Sequence, residues 1–421
     1  MKVHLFLQLF SYFIFFTLLA QSKTHPTDIQ GLQHLKNAMN PNSISPGSCL
    51  SSWNFTLDPC DHIFTDRFTC GFRCDLIDSG FYRVTEISLD QAGYSGSLPT
   101  SLNLPHLEVL DMSFNSLSGS IPNSISNLTR LRRLSLSKNS VTGEITASIG
   151  TLLYLQELYL DNNKLTSSIP KSINRLVNLK RLELQQNNIS GELPDLTQLK
   201  NLMFVDLSDN RLTGNVFTLF TSTFSNSIVE LSARNNYLCG EFPLIIGELK
   251  FLQVLDLSHN LLSGVVPAAL FQHPSLQQLT LSHNNLTFLQ MPKDLEFGNK
   301  LIAVDLSCNN LHGGLPAFMA AMPELSTLNL EHNKFSGMIP LQYAVKVVGP
   351  KKATALFERL LLGWNYLYGP IPGPLLGLRP GSVNVSLVGN CLFMCPNALY
   401  ICHGGNQKSF LDCKKFGPRI P

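Results

Sequence analysis

The chain has 421 residues, a formal net charge of +2 and a hydrophobic content of 44%. A charge so close to neutral gives no argument for nucleic acid or an anionic membrane as a partner. Length alone would suggest about two or three globular domains, but a repeat fills most of the chain, and repeat proteins grow by stacking rather than by enlarging one core.

Residues 1–22 have the pattern of a secretory signal peptide. Lys2 supplies a positive start, residues 5–19 are almost wholly apolar, and Ala20-Gln21-Ser22 offers a small-x-small cleavage site. The apolar run is short for a membrane anchor that is retained, and the tail after Lys414 has the composition of neither a span nor a lipid-anchor signal. We therefore expect a secreted protein, located extracellularly in the cell wall or at the cell surface.

Residues 23–83 are predicted to form an N-terminal cap that contains cysteines. We expect Asp28 to cap a short amphipathic helix. The apolar side of that helix carries Ile29, Leu32, Leu35 and Met39. A cap is needed because the first repeat would otherwise expose its apolar end to water.

Residues 84–390 carry about 12–13 copies of the phrase apolar–x–apolar–x–x–Asn–x–apolar, usually followed by glycine. The asparagine position falls at Ala92, Asn115, Asn139, Asn163, Asn187, Asn210, Asn236, Asn260, Asn284, Asn309, Asn333, Asn365 and Asn390. This is the leucine-rich repeat signature. In each copy the apolar residues of a short strand point inward, and the asparagine amide satisfies backbone groups that would be costly to bury unpaired. The predicted fold class is an α/β leucine-rich repeat solenoid: a right-handed curved superhelix with a continuous concave parallel β-sheet and disulfide caps.

The phrase Gly-x-apolar-Pro follows several of the asparagine turns, for example at residues 119–122, 191–194 and 264–267. Together with the repeat period and the cap segments Leu50–Trp53 and Asp58–Cys60, it resembles the plant-type leucine-rich repeats of receptor-like proteins and receptor kinases. The resemblance covers residues 24–421. It implies an ectodomain that recognises a partner, while the transmembrane and kinase segments of those families are not expected in this chain.

The step between Asn333 and Asn365 is longer than the others. The extra residues lie around 342–357 and include Lys346, Lys351 and Lys352. We predict a longer loop there, which is either a short relative of the island that interrupts the repeats of plant receptor-like proteins or a tolerated surface loop.

The ten cysteines fall before, within and after the repeats. In an oxidising compartment the two outer groups predict disulfides in both caps, the second cap being residues 391–421. The disulfide candidates are Cys49, Cys60, Cys70, Cys74, Cys391, Cys395, Cys402 and Cys413. A secretory signal disfavours zinc as the alternative. Cys239 and Cys308 lie in repeats too far apart to be bridged, so we expect free thiols.

Five sequons agree with secretion. The predicted glycosylation sites are Asn54, Asn127, Asn188, Asn285 and Asn384. Asn188 and Asn285 directly follow a repeat asparagine, so glycans there would occupy the edge where strands end, and Asn384 would close the last strand. This leaves the main-sheet strands of repeats 2–8 as the surface on which we expect a partner to bind.

No catalytic constellation is present in the sequence: we find no phosphate-binding loop, no His-Glu-x-x-His and no nucleophile elbow. We therefore predict that the protein is not an enzyme and needs neither cofactor nor metal. His259, His283 and His332 occupy the same position before a repeat asparagine. A row of histidines could bind metal or sense pH, but Ser-His-Asn is a common variant of the repeat.

The exposed strand positions are predicted to carry an acidic bias of −7. The acids are Glu86, Asp90, Asp111, Glu157, Asp161, Glu183, Asp206, Asp209, Glu230, Asp256, Asp305 and Glu331, and the bases are Arg133, Lys138, Arg181, Arg234 and Arg359. Asp111, Asp206, Asp256 and Asp305 recur in near-identical phrases that favour a structural role, and without them the bias is −3. The candidate partner-binding residues on the concave face are Phe114, Lys138, Tyr159, Arg181, Glu183, Phe204, Arg234 and Trp364.

Two binding functions and one structural function compete. The first is a secreted or cell-surface module whose concave face binds a peptide or protein, alone or together with a membrane receptor kinase, in signalling or defence. The second is a wall protein resembling the plant inhibitors of polygalacturonases, whose typical repeat number is lower. The third is a structural scaffold of the extracellular matrix.

Overall fold

The computed structural model describes residues 23–78, 80–220, 227–293, 299–349 and 355–414. The chain groups into two compact units, residues 1–187 (unit 1) and 188–421 (unit 2). The predicted signal peptide and the tail after Lys414 lie outside the described residues. Among those residues, we find no helix whose length and apolar character would suit a membrane crossing.

Unit 1 contains two α-helices and five 3-10 helices among its described residues. They are α1 (Pro26–Asn37) and α2 (Cys49–Ser52), and the 3-10 helices Pro41–Ser43, Cys60–His62, Asn123–Asn127, Ala147–Thr151 and Lys171–Arg175. Its strands are β1 (Lys23–Thr24), β2 (Phe72–Asp78), β3 (Phe81–Ser88), β4 (Ser95–Gly96), β5 (Val109–Asp111), β6 (Ser116–Leu117), β7 (Arg133–Ser135), β8 (Thr142–Glu144), β9 (Glu157–Tyr159), β10 (Lys164–Thr166) and β11 (Arg181–Glu183). The main sheet has the order β1-β3-β5-β7-β9-β11, all parallel, and β2 pairs with β3 antiparallel. Two lateral pairs, β4 with β6 and β8 with β10, lie beside it.

Unit 2 repeats the same plan with longer lateral sheets. Its helices are α3 (Ala268–Phe271), α4 (Phe318–Ala321), α5 (Leu341–Val348), α6 (Gly373–Leu376) and α7 (Phe410–Cys413), and its 3-10 helices are Val216–Leu219, Leu244–Glu248 and Tyr400–Cys402. The strands of its main sheet are β13 (Phe204–Asp206), β15 (Glu230–Ser232), β17 (Val254–Asp256), β19 (Gln278–Thr280), β21 (Ala303–Asp305), β23 (Thr327–Asn329), β25 (Arg359–Leu361) and β27 (Asn384–Ser386), parallel and in this order. The lateral strands are β12 (Ser190–Glu192), β14 (Arg211–Thr213), β16 (Cys239–Gly240), β18 (Leu261–Val266), β20 (Asn285–Leu289), β22 (His312–Gly313), β24 (Lys334–Gly337), β26 (Tyr366–Pro370) and β28 (Cys391–Phe393). They form the sheets β12-β14, β16-β18-β20 and β22-β24-β26-β28.

The core of each repeat lies between its strand and the short helical segment that follows. The middle residue of each strand faces inward, so Leu134, Leu158 and Leu182 are fully buried. Burying a leucine side chain contributes about 1.5–3 kcal/mol, and every repeat adds the same set. The predicted leucine-rich repeat fold is confirmed, since short parallel strands stack repeat by repeat within each unit.

The repeat asparagines join one repeat to the one before it. The amide oxygen of Asn163 accepts a hydrogen bond from the Val141 N–H at 2.9 Å. Its Nδ2 donates to the carbonyls of Leu136 at 2.8 Å, Leu160 at 3.2 Å and Asp161 at 3.0 Å. Asn139, Asn187, Asn236, Asn260, Asn284, Asn309, Asn333, Asn365 and Asn390 are buried or half-buried and make equivalent contacts. The predicted role of this residue is confirmed.

The N-terminal cap corrects one expectation, because Asp28 is not the N-cap of its helix. His25 occupies that position and accepts from the Thr27 N–H. Asp28 is fully buried, and its carboxylate accepts from the Arg83 guanidinium at 2.9 Å and from the Val84 N–H at 2.8 Å. Because the helix starts two residues before it, Asp28 faces strand β3 and ties the helix to the first repeat.

Four disulfides close the two ends of the described chain. In the N-terminal cap Cys49 is bonded to Cys70 and Cys60 to Cys74. In the C-terminal cap Cys391 is bonded to Cys413 and Cys395 to Cys402. Cys239 and Cys308 are free, as predicted.

The first part of the predicted loop at 342–357 is a helix, which corrects the sequence interpretation for residues 342–348. Helix α5 begins at Leu341 and buries Tyr343 and Val347. Lys346, expected in a surface segment, is only 5% exposed. Its ammonium donates to the Met322 carbonyl at 2.5 Å and lies 5.3 Å from the centre of the Phe357 ring. The aliphatic stem packs as a core residue, while residues 350–354 of this segment lie outside the description.

We predict that Asn163→Ala lowers the free energy of unfolding by about 2–4 kcal/mol, because it leaves buried backbone groups of two repeats unpaired. Urea unfolding followed by circular dichroism measures the effect. Asn37→Ala is the matched control, since this asparagine is exposed at the end of α1, and its effect should be within about 0.5 kcal/mol. Equal stability of the two variants would contradict the bridging role.

We predict that the stability of the wild type rises relative to Lys346→Met as the pH increases above about 8. Burial lowers the pKa of Lys346 to about 8 from its ordinary value of 10.5. The unfolded chain therefore binds this proton more tightly than the folded chain between these two values, and unfolding becomes harder as that proton is released. Below pH 8 the difference between the two proteins should be constant. Urea unfolding at pH 7.0 and 9.5, with the free thiols alkylated in both proteins, checks the prediction, and parallel pH profiles would refute it.

Candidate functional site

The open face of the main sheet in unit 1 carries the side chains that flank each inward-facing strand residue. The register places Arg133, Glu157 and Arg181 in one row across β7, β9 and β11. Tyr159 and Glu183 lie in the next row, beside one another. These positions differ from repeat to repeat, because the repeat pattern fixes only the residues that face inward.

Arg133 is the centre of a cluster on this face. Its guanidinium lies 3.3 Å from the Asp111 carboxylate and 3.5 Å from that of Glu157. The same guanidinium lies 5.0 Å from the centre of the Tyr159 ring, a cation–π contact. The Tyr159 hydroxyl donates to Glu157 at 3.3 Å. We call these four residues the Arg133 cluster.

Arg181 and Glu183 form a second pair next to the Arg133 cluster. Arg181 Nη1 lies 2.7 Å from Glu183 Oε1, and the Gln185 amide donates to the other Glu183 oxygen at 3.0 Å.

Burial and the Glu157 charge raise the pKa of Tyr159, against the opposing effect of Arg181 and Arg133. The hydroxyl therefore stays protonated and available as a donor over the physiological pH range.

Phe114 and Lys138 occupy the position immediately before a repeat asparagine. Both residues have a positive φ, +56° and +53°. This left-handed conformation is unfavourable for most side chains, but it lets each backbone N–H bond to the next repeat, as in Phe114 N–H to the Ser137 carbonyl at 2.9 Å. The side chains point outward, and the Lys138 ammonium lies 4.4 Å from the centre of the Phe114 ring. Phe114 remains 45% exposed.

The acidic bias of the accessible groups in unit 1 is smaller than the sequence predicts. Asp161 is buried and accepts from Ser137, which corrects its assignment as an exposed position. Asp90 accepts from the Tyr94 hydroxyl at 2.6 Å, and Asp111 accepts from the N–H and hydroxyl of Ser113. Glu86, Glu157 and Glu183 lie on this face together with the bases Arg133, Lys138 and Arg181. The half-buried Asp90 and Asp111 add to the acids, and Asp111 is more exposed than Glu183, so a small acidic excess remains in unit 1.

In unit 2 the recurrent aspartates are structural, as their shared phrase suggested. Asp206, Asp256 and Asp305 each accept a hydrogen bond from the backbone N–H of the serine two positions on. Burial raises the pKa of Asp206.

Phe204 is half-buried on β13, and Arg234 is exposed before its repeat asparagine. Partner binding by these two residues stays a prediction.

Trp364 lies against the C-terminal cap. Its ring stacks on His332 with centroids 5.4 Å apart, and the Lys408 ammonium of the cap lies 5.6 Å from its centre. A Cβ atom at Gly389 would lie 2.7 Å from carbon atoms of the Trp364 ring, so a larger residue at this position would clash with the ring. Trp364 is 43% exposed, and its packing supports the cap whether or not its free face meets a partner.

His259 and His283 stack on one another in unit 2, with ring centroids 4.0 Å apart and planes 13° from parallel. Burial lowers the pKa of His259, and the charges of His283 and Arg234 lower it further, while Asp256 and Asp209 oppose them. Among the described residues, no three histidine, cysteine or acidic side chains converge in a way that could hold a metal ion. The histidine row contains a stacked pair rather than a chelating group.

The sequon asparagines are accessible. Asn127, Asn188, Asn285 and Asn384 are exposed, and Asn54 is half-buried with its amide oxygen bonded to Thr56. Glycosylation at these positions stays a prediction. Arg133 is the residue of the open face that the sequence does not single out, because its contact with Tyr159 joins two successive repeats.

Three segments match known families. Residues 25–65 match the leucine rich repeat N-terminal domain, residues 88–219 the leucine-rich repeat region and residues 227–286 the leucine rich repeat. A probable leucine-rich repeat receptor-like serine/threonine-protein kinase of Arabidopsis thaliana is 33% identical over 135 residues, which are 27% of this chain and 12% of the kinase.

Two solved structures are similar over most of the chain. The plant peptide hormone receptor RGFR1, in complex with RGF2, is 31% identical with a TM-score of 0.65, over 75% of this chain and 50% of that one. The ectodomain of the receptor kinase GASSHO1/SCHENGEN3 from Arabidopsis thaliana, in complex with CASPARIAN STRIP INTEGRITY FACTOR 2, is 28% identical with a TM-score of 0.70, over 90% and 47%. The chain thus spans about half of each structure and a small part of the kinase.

We predict that His259 titrates below the ordinary histidine pKa and that His283→Asn moves its pKa upward. Asparagine tolerates the left-handed conformation of this position, so the substitution removes the neighbouring charge without straining the turn. Nuclear magnetic resonance of the imidazole protons across pH 4–8 measures both values. His34→Asn, an exposed histidine of unit 1, should leave the His259 titration unchanged. An unchanged curve in His283→Asn would show that the stacked pair is not coupled.

Proposed function

We propose that this chain, which belongs to the plant-type leucine-rich repeat family of receptor-like proteins and receptor kinase ectodomains, is a recognition module that binds a peptide or protein partner on the open sheet face of unit 1. The observation that carries the proposal is the Arg133 cluster with its neighbours. Aromatic and arginine side chains occupy repeat-variable positions on an exposed sheet, and such residues are enriched at the energetic centres of interfaces.

The cluster is held in place before any partner arrives. Arg133 is fixed by two carboxylates and a ring, and Arg181 is fixed by Glu183. Immobilising a flexible side chain on binding costs about 0.5–1.5 kcal/mol, and much of that cost is already met here by contacts within the chain. A rigid face on which the arginines are already paired with carboxylates favours a partner that brings both donors and acceptors of its own.

The related structures support this assignment. RGFR1 is described as a peptide hormone receptor in complex with RGF2, and the GASSHO1/SCHENGEN3 ectodomain is in complex with CASPARIAN STRIP INTEGRITY FACTOR 2. Both share the repeat fold of this chain. By this likeness the partner class is an extracellular peptide or small protein, and the repeats act in recognition rather than in catalysis.

Secretion and glycosylation belong to the same proposal. Four disulfides fit an oxidising compartment. The signal-like residues 1–22 and the five accessible sequons point to the same route. We assign the mature protein to the cell surface or the cell wall.

Partner capture from extracellular plant extract tests the function. The secreted protein is immobilised, bound proteins and peptides are identified by mass spectrometry, and the dissociation constant of each is measured. We expect Tyr159→Ala and Arg181→Gln each to weaken the specific partner by about 2 kcal/mol, roughly thirtyfold in Kd, as for residues at the centre of an interface.

The matched controls make the same changes away from the face. Tyr237→Ala removes an exposed tyrosine of unit 2, and Arg175→Gln removes an exposed arginine of a 3-10 helix. Both should bind like the wild type. If every captured partner tolerates Tyr159→Ala and Arg181→Gln, the open face of unit 1 is not the binding site.

A further inference from the structure

A hollow lies at the edge of the unit 1 sheet, beside the start of strands β5 and β7. It encloses about 250 Å³ and is lined by Glu108, Arg130, Arg132 and Tyr154. Glu108 and Arg132 directly precede their strands, and the Arg132 N–H donates to the Glu108 carbonyl at 2.8 Å. Arg130 and Tyr154 come from the turns that lead into β7 and β9.

The cations of the hollow are not fully used within the chain. Arg132 Nε lies 3.1 Å from a Glu108 carboxylate oxygen, and the Arg132 side chain stays 53% exposed. Across the described part of the chain, we find no hydrogen bond or ion pair of the Arg130 guanidinium or of the Tyr154 hydroxyl. Two guanidinium groups against one carboxylate leave an excess of one positive charge, with a hydroxyl donor beside it.

An apolar surface borders the hollow on the side of the following repeats. Leu153 is 48% exposed, Tyr154 59% and Val177 46%. Leu153 and Val177 occupy the same turn position in successive repeats, and the Asn178 amide that follows Val177 donates to the Leu153 carbonyl at 2.8 Å. The two turns are therefore joined, and Leu153 adjoins Tyr154, which lines the hollow.

We propose that the hollow is a subsite for a carboxylate of a partner polypeptide, with an apolar side chain of the same polypeptide resting on Leu153 and Tyr154. Arginine presents paired N–H donors that match the two oxygens of a carboxylate. The exposed apolar side chains of Leu153 and Tyr154 favour a polypeptide over an acidic polysaccharide, because a uronate chain would place hydroxyl groups against them where a polypeptide can place an apolar side chain. The inference rests on the proposed function only in taking the partner to be a polypeptide. The subsite would select a partner in which an acidic residue lies next to an apolar residue.

The subsite can be tested without the partner, using the dipeptide acetyl-leucyl-glutamate as the probe. The probe is titrated into the whole secreted protein labelled with [¹⁵N]arginine, and the Kd is taken from the shifts of the arginine side-chain resonances. We expect Arg130→Gln to weaken the probe by about tenfold, the effect of losing one charge-assisted hydrogen bond. Glu108→Gln should tighten binding severalfold, because it removes a repelling carboxylate and releases Arg132. A gain of affinity cannot come from misfolding.

Arg175→Gln is the matched control: it removes the same charge from an exposed arginine outside the hollow, and the Kd should not change. Leu153→Ser should weaken acetyl-leucyl-glutamate while leaving binding of acetate unchanged, because Leu153 adjoins the hollow without lining it. The proposal is overturned if the dipeptide fails to bind, if Arg130→Gln and Glu108→Gln leave its Kd unchanged, or if tri-galacturonate binds in their place with the same dependence on Arg130. None of these results bears on partner capture by Tyr159 and Arg181, so the two hypotheses fail separately.

Discussion

The buried asparagine amide is the constraint on which the rest of the fold depends. A parallel strand of three residues makes few hydrogen bonds, and the turn that follows would leave its carbonyls and N–H groups unpaired in an apolar interior. Asn163 satisfies four such groups in its own and the preceding repeat. Because these hydrogen bonds join two repeats, they stabilise the interface between the repeats as well as the turn itself. This is expected of a repeat protein, whose stability is approximately a sum of terms for single repeats and for the interfaces between neighbours.

This constraint also determines where variation is possible. The asparagine and the inward leucines fix the backbone, including the left-handed residue before each asparagine. The neighbouring outward positions are then free to carry Phe114, Lys138 or Trp364 at the same conformational cost. A rigid backbone with variable side chains is what a recognition surface requires, since binding then demands little reorganisation. The same frame supports the Arg133 cluster on the open face and the arginines at the sheet edge.

The repeat could be predicted because its residues act locally and recur. The repeat asparagines and the structural role of Asp206, Asp256 and Asp305 follow from residues that recur in each repeat. The cap disulfides and the free thiols follow from where the cysteines lie relative to the repeats. What failed depends on a single long-range contact. Asp28 looked like a helix cap because nothing nearby in sequence shows Arg83 closing over it. In the sequence Arg133 is one base among several, because its contacts with Glu157 and Tyr159 cross to the next repeat. The hollow needs side chains from three different turns.

The long repeat between Asn333 and Asn365 shows which part of the structure gives way when the length changes. Asn365 still accepts from the Phe335 N–H at 3.0 Å and donates to the Leu330 carbonyl at 2.9 Å. Strands β23 and β25 keep the ordinary parallel register. The described part of the additional length lies in α5, which is longer than the helical segments of most other repeats and buries Tyr343 and Lys346. The register of the main-sheet strands is kept in this longer repeat, so the spacing of the outward side chains on the sheet is preserved.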